Sequence, residues 1–538
     1  MDVADFLIVG SGCTGAMAAE TLAASGSSVV LIDGGIDDKG AGEKIPHVPY
    51  HQLRRKDESQ HEFLLGRKFE SIPSGKTGTG AQLTPARMFL IEKTAEWIPL
   101  LSESFKPIES LAVGGLGGGW GLGCCVFSDP ELQAAGLNVQ RMKNAYQVVA
   151  DRIGISGNND DARPFTSAHI NGIQPAFEPG HQAKHLLKKY QAKKASLNRN
   201  GFYLGRPALA LLTQDKGSRK ALERRDMDFY DDHNHSAWRA WITVQEVVKL
   251  PNVKHEKGWL VISFSEQENV AEATALNIET GERKIFRARK LILSGGPLAT
   301  ARIVLRSVPG GNEKQLPLLC NPYNYTPFLI PRLLGNSIPD DHIGFAQLSL
   351  FHSANAEHND IAMASLYSYN ALMLFRLLRE TPLNFRDGRI AMKYLLPALI
   401  IGGIHHPETS GAGQFVALKS DGTSKTGDVL IAEYNRGADK DLRVTEREAQ
   451  YRKAMRSLGA YALKQVQPGH GASVHYAGVL PFSENEEAFH LASDGRLHGF
   501  NRVFVADGSG FKYLPAKGLT LSLMANAHDV ALKASAGN

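Results

Sequence analysis

Four apolar residues, Phe6-Leu7-Ile8-Val9, stand uninterrupted near the start of the chain, the pattern of a strand buried on both faces. Closely spaced alanines and leucines over 16–24 predict a tightly packed helix, and 27–32 predicts a second strand. Further on, 138–155 sets Met142, Ala145, Tyr146, Val149 and Ile153 on one helical face, and 182–194 is weakly helical. Residues 238–248 and 253–264 carry helix and strand signals. The runs 270–278 and 283–287 read as an antiparallel hairpin around Glu279-Thr280-Gly281. Residues 290–294 form another buried-strand pattern, closed by Gly295-Gly296 and followed by a helix over 298–305. The pattern then predicts strands and apolar helices over 320–450, a helix over 449–466 and a last apolar helix over 519–527. Residues 34–110 have little periodicity. The glycine-rich 75–80 lacks the full Walker spacing and a preceding buried strand, so it reads as a surface loop.

A chain of 538 residues with 43% hydrophobic and 21% charged residues is globular and too long for one ordinary core. A net charge of +5 is small for this length. With no basic run interleaved with aromatics, it excludes a nucleic-acid partner. Four cysteines, Cys13, Cys124, Cys125 and Cys320, draw no disulfide framework and fit a reducing compartment. The first strand begins at about residue 4, leaving no room for a leader, and no apolar run reaches the length of about 20 residues that spans a bilayer. The expectation is a cytoplasmic protein. Residues 366–379 and 393–404 are apolar and flanked by basic and aromatic side chains. They read either as core helices or as a helical hairpin giving peripheral contact with the inner face of a membrane through 366–404.

The chemistry starts where the first strand stops. Gly10-x-Gly12-x-x-Gly15 follows Val9 at once, and Asp33 ends the second strand eighteen residues after Gly15. Strand, glycines, helix, strand and acid in that order form a dinucleotide-binding unit. Gly10 permits the sharp turn, Gly12 lets a pyrophosphate approach the backbone, and Gly15 lets helix and strand pack closely. The helix N-terminus offers unpaired N–H groups. An acid at Asp33 favours a free ribose 2′-hydroxyl, hence FAD or NAD over NADP. A second unusual stretch holds seven glycines between Val113 and Gly123. Val113, Leu116, Trp120 and Leu122 are too apolar for a linker, so this stretch reads as a loop held against a cofactor.

Gly10–Gly15 with Asp33, Gly114–Trp120, Leu291–Gly296, His475-Tyr-Ala-Gly478, Val503–Ser509 and Pro515–Thr520 together resemble the glucose–methanol–choline (GMC) oxidoreductases. The second loop is similar to the pyranose-oxidase branch. The resemblance implies an α/β fold, in which a Rossmann-like FAD-binding domain of the GMC/PHBH type carries an inserted α+β substrate domain built on an antiparallel sheet. It divides the chain into FAD-binding parts at 1–150, 236–319 and 451–538, with substrate parts at 151–235 and 320–450. It implies FAD contacts from Gly10, Gly12, Gly15, Asp33, Gly114, Gly115, Gly117, Trp120, Gly121, Gly295, Asp507, Gly508 and Thr520, with Val261 against the adenine. Gly119 stands where some relatives carry a residue bonded to flavin, so the FAD is expected to be non-covalent.

The implied activity is oxidation of a secondary alcohol by hydride transfer to flavin, as a dehydrogenase rather than an oxidase. His475 is the implied base, and a pKa near working pH would suit it. The substrate is expected to be a small-molecule sugar, a glycoside or a lipid-linked sugar, and no electron acceptor is named. Where the family has a histidine or asparagine ahead of the final threonine, this chain has Ala516-Lys517. Lys517 is therefore the nearest polar candidate: a substrate anchor, a base, or one half of a salt bridge elsewhere. Internal redox, epimerisation or elimination, and a non-catalytic flavin module, are the alternatives. The pairs His233-x-His235 and His405-His406 lack a complete ligand set, so no metal is expected.

Overall fold

A computed structural model describes residues 3–68, 84–223, 232–337, 344–355, 357–368 and 382–536. Its first sheet grows outward from the apolar run at the start of the chain. Strand β1 (Ala4–Val9) lies parallel between β2 (Val29–Asp33) and the long strand Arg283–Leu293, and Val253–Lys257 extends the sheet beyond β2. Arg283–Leu293 has two partners on its other edge. Residues 283–288 pair antiparallel with Ala271–Asn277, which pairs in turn with Trp259–Glu266. Residues 291–293 pair parallel with Val503–Val505, from near the end of the chain. The hairpin and the buried strand read separately from the sequence are thus one continuous strand. Helix α1 (Cys13–Ala24) and Pro297–Ser307 each spring from glycines at the C-terminal end of a strand, and Thr520–Ala536 packs across α1 and Val139–Ile153.

A second sheet of six antiparallel strands runs in the order Tyr461–Ala462, Tyr323–Leu329, Leu399–His405, Ile361–Ser368, Leu348–Ser353, Phe202–Gly205. One face, with Phe328, Ile400, Ile404, Leu350 and Ala364, packs on the helices His181–Arg199 and Ala438–Ser457. By the two-residue alternation of strands, Tyr323, Tyr325, Met363, Ser365, Tyr367, Ile401 and His405 belong to the opposite face, and all border the cavity described below.

Two expectations change here. The apolar run 393–404 is not one helix. Phe385–Leu395 is helical, Pro397 sits in a short 3-10 turn, and Leu399–His405 is a strand. Two adjacent isoleucines favour the pleat, and cross-strand partners on both sides bury it, so it forms no half of an interfacial hairpin. The other half, from 369 onward, lies outside the described residues, as does the loop 75–80. The helix expected over 449–466 is Ala438–Ser457 instead, with Asp439 and Asp441 in its first turn and Gly459 at φ +82° just past its end. Among the described residues no helix is long and apolar enough to cross a membrane.

The glycines of the first turn differ in what they tolerate. A Cβ on Gly15 would fall 1.8 Å from the Gly10 carbonyl oxygen, whereas one on Gly12 would meet nothing within 4 Å. Gly15→Ala is therefore expected to destabilise the fold by about 1–3 kcal/mol or more, the usual cost of overpacking. Gly12→Ala should stay within about 0.5 kcal/mol of the parent protein. Denaturant titration of both variants measures the difference.

Candidate active site

The C-terminal ends of β1, β2 and Arg283–Leu293 open onto a cavity of about 600 Å³ that runs between the two sheets. Gly10, Ser11, Gly12, Cys13 and Thr14 line it, with Asp33, Gly115, Gly117, Trp120, Gly121, Val261, Gly295, Asp507, Gly508 and Thr520. His475 and the aromatic face of the second sheet border the same space. Gly15, Gly114 and Lys517, also expected at the site, do not.

At the α1 end the walls are backbone. Gly12 caps α1 in extended conformation and no side chain caps the helix, so its first-turn N–H groups are available to an anion. The second glycine loop folds directly onto the first. Gly114 (φ +82°) donates its N–H to Ser11 Oγ over 3.0 Å, and a Cβ on Gly117 would fall 2.5 Å from Cys13 Sγ. Ser11 in turn donates its hydroxyl to Asp33 Oδ2. Asp33 is buried, His255 Nε2 lies 3.1 Å from the same Oδ2, and among the described residues Oδ1 has no hydrogen-bond partner. A buried carboxylate oxygen left open costs free energy until a donor reaches it, and the hydroxyl of a ribose is such a donor. Ser11, which orients this acid, and His255, which lies beside it without a hydrogen bond from Nε2, carry no signal in the sequence.

Trp120 and Asp507 border the cavity, yet their polar atoms are spent on the protein. Trp120 donates Nε1–H to the Trp238 carbonyl over 3.0 Å and packs edge-on against that indole. Both carboxylate oxygens of Asp507 are saturated. Oδ1 accepts from Ser509 N–H (2.9 Å) and hydroxyl (2.5 Å), and Oδ2 from Gly296 N–H (3.0 Å) and Thr300 (2.6 Å). Burial raises the Asp507 pKa, against the pull of these donors. This corrects the expected direct contact of Asp507 with cofactor hydroxyls. The residue ties the glycine turn at 295–296 to the turn at 508–510, leaving backbone to face the cavity.

Lys517 is the larger correction. Its side chain is fully buried away from the cavity, with Nζ 2.6 Å from Glu131 Oε2 and 3.0 Å from the Val126 carbonyl. Glu131 is equally buried, in the capping box of Asp129–Ala135. Two opposite charges with no water pair with each other, so Lys517 anchors the segment before Thr520 and leaves the substrate to other groups.

His475 stands at the opposite end from Asp33, raised into place by Val474, a β-branched residue held at φ +57°. That backbone costs roughly 1–3 kcal/mol and marks an over-determined position. His475 Nδ1 is 3.0 Å from Asn321 Oδ1. The Asn321 amide nitrogen faces three carbonyls, of His406, Leu514 and Pro515, at 2.8, 3.2 and 3.2 Å. Asn321 therefore presents its oxygen, the Nδ1 proton of His475 donates to it, and Nε2 keeps its lone pair. Burial lowers the His475 pKa to about 4, well below the near-neutral value expected, so the imidazole is a neutral acceptor at any ordinary pH. The His405 ring stacks on it, with centroids 4.9 Å apart and planes at 24°. Asn321 was not singled out from the sequence, and His405 was weighed there only as half of a histidine pair without a metal-ligand set. Both join the site from the second sheet and its approach, far from His475 in the chain.

No protein-family model matches this chain, and no curated protein matches it. Among solved structures, that of pyridoxine 4-oxidase from Mesorbium loti superposes with a TM-score of 0.58 over 99% of each chain, at 14% identity. The two chains share a fold. At that identity the likeness is one of architecture, and the assignment of chemistry rests on the residues above.

Removing one member of a buried ion pair strands the other charge, at a cost of about 3–5 kcal/mol, whereas replacing both with apolar groups is often neutral. Lys517→Met is thus expected to lower stability by about that amount, and Lys517→Met combined with Glu131→Leu to recover most of it. Denaturant titration measures both. Undiminished stability in the single variant would mean that the pair is not formed.

Proposed function

We propose that the protein is a GMC-type flavoenzyme that binds FAD non-covalently and oxidises a neutral alcohol, with His475 as the base. The observation that carries this is the pairing of a dinucleotide cradle and a fixed, neutral imidazole across one cavity. The cradle fits FAD. Asp33 Oδ1 is an open acceptor for the ribose, Gly12 leaves its approach clear, and the N-terminus of α1 has no competing cap. When bound, FAD supplies a two-electron hydride acceptor. The residues do the rest. His475 Nε2 takes the hydroxyl proton, and Asn321 holds the imidazole in the tautomer that can accept it. The N-terminus of Thr520–Ala536, at the cavity wall, favours negative charge beside it.

The face opposite the cradle supports a neutral substrate. Tyr323, Tyr325, Met363, Tyr367 and Ile401 are aromatic or aliphatic, and Ser349 and Ser365 add hydroxyls. A sugar, glycoside or lipid-linked sugar keeps this neutrality, as does an alcohol with an aromatic ring. The case for a sugar comes only from the likeness of the second glycine loop to the pyranose-oxidase branch, and in that loop the Trp120 indole N–H is committed to Trp238. Internal redox or elimination through Lys517 loses its support with that ammonium bound to Glu131.

Purified protein is expected to be yellow and to release FAD on heat or acid. Flavin retained on denatured polypeptide would overturn the non-covalent reading, and NAD as the sole bound nucleotide would overturn the whole. Anaerobic mixing with a panel of sugars, glycosides, sterols and aryl alcohols should bleach the flavin with at least one. His475→Ala should slow that reduction by roughly 10²–10⁴ with FAD still bound. With a pKa of about 4, the basic form of His475 persists throughout the neutral range. The rate should be level from about pH 6 to about pH 8 and fall as acid approaches that pKa, since protonated Nε2 accepts nothing.

A further inference from the structure

The imidazole stacked on His475 has a role of its own. His405 ends the strand Leu399–His405, whose neighbours hold it in register opposite Tyr323 on one side and Met363 on the other. Its ring lies between Tyr323, at 4.5 Å between centroids, and His475, at 4.9 Å. His406 points to the other face, where Nε2 lies 3.3 Å from Glu448 Oε1. His405 borders the cavity, and among the described residues it has ring contacts but no hydrogen bond. Burial and the two neighbouring histidines hold its pKa well below the usual histidine value. It is therefore neutral, with one N–H to donate.

The position ahead of Thr520 cannot supply that donor. Ala516 is apolar, and Lys517 is committed to Glu131. Resting on the alcohol-oxidation reading, we propose that His405 is the second catalytic side chain, donating its N–H to the substrate oxygen whose proton His475 accepts. An alcohol oxygen carries one proton and two lone pairs. With its proton directed to His475 Nε2, the neighbouring imidazole can serve only as a donor to a lone pair. The balance is complete. The O–H proton would pass to His475, the hydrogen on the carbinol carbon would leave with its bonding pair as hydride to the FAD that the cradle would hold, and the former O–H pair would make the C–O bond double. His405 keeps its proton, and its hydrogen bond strengthens as negative charge gathers on oxygen, so it stabilises the transition state more than the bound alcohol. The catalytic pair thus comes from two sides, His475 from the segment before the last strand and His405 from the substrate-facing sheet.

His405→Phe keeps the ring stack and removes the donor, while His405→Asn restores a donor without the ring. On FAD-loaded protein, His405→Phe should slow anaerobic flavin reduction by roughly 10²–10³, the usual cost of one lost donor to a developing oxyanion. His405→Asn should regain at least a factor of ten. Melting temperature and flavin content should match the parent protein in both. Reduction of the His405→Phe flavin at the parent rate would overturn the proposal. Binding is read separately in ¹⁵N-histidine-labelled, FAD-loaded parent protein. The His405 N–H proton should move downfield with saturating benzyl alcohol or cyclohexanol, whether or not the flavin bleaches. A resonance unmoved by every alcohol that alters the flavin spectrum would overturn the proposal. A flavin bleached by no alcohol, with the His405 resonance still moving, would overturn the oxidation reading and leave His405 as the donor.

Discussion

The architecture of the cavity hangs on an atom that is absent. Helix α1 reaches β1 so closely that the Gly10 carbonyl occupies the space of a side chain at Gly15. That contact sets the N-terminus of α1 directly at the C-terminal end of β1. It brings Ser11 where it can bridge Asp33 and the Gly114 amide, which draws the second glycine loop down onto the first. The small residues of that loop then crowd Cys13, Ala240 and Leu90 at distances no Cβ could share. The cradle is thus built by close backbone approach and one serine hydroxyl. It presents N–H groups and one open carboxylate oxygen, and no positively charged side chain among the residues named for it.

The other end of the cavity follows a different logic. There the polar groups are side chains, each held by a partner that fixes its state. Asn321 is oriented by three carbonyls and so determines which nitrogen of His475 carries the proton. Glu131 removes Lys517 from contention, and Asp507 is locked by four donors. Among the groups just named, His475 keeps Nε2 unspent.

These two ends were unequally legible. The α1 cradle is encoded locally, since strand, turn, helix and acid follow one another within 33 residues and each glycine answers a local steric demand. The long hairpin was visible for the same reason, through alternation and a turn tripeptide. Residues 399–405 were misread because a buried strand and a buried helix share an apolar composition, and only the partners on both sides decide between them. Lys517 was counted among the catalytic candidates, with a salt bridge elsewhere left open, because its chemistry depends on Glu131, 386 residues away. Asn321 was passed over, and His405 was named only as half of a histidine pair, because they meet His475 only once the second sheet has formed. His255 is read as Asp33's companion only after Val253–Lys257 has lain down beside β2.

The strand Arg283–Leu293 carries a consequence for how the chain is made. Its last three residues are completed by Val503–Val505, and the helix that follows, Thr520–Ala536, covers α1. On the ribosome, the roughly 200 residues between these strands take about 10–40 s to emerge at typical elongation rates. Throughout that interval one edge of the first sheet stays open at Leu291–Leu293, an invitation to pair with a neighbouring nascent chain. Closure of the first sheet is thus deferred until translation is nearly finished, and a prematurely terminated product keeps an adhesive border.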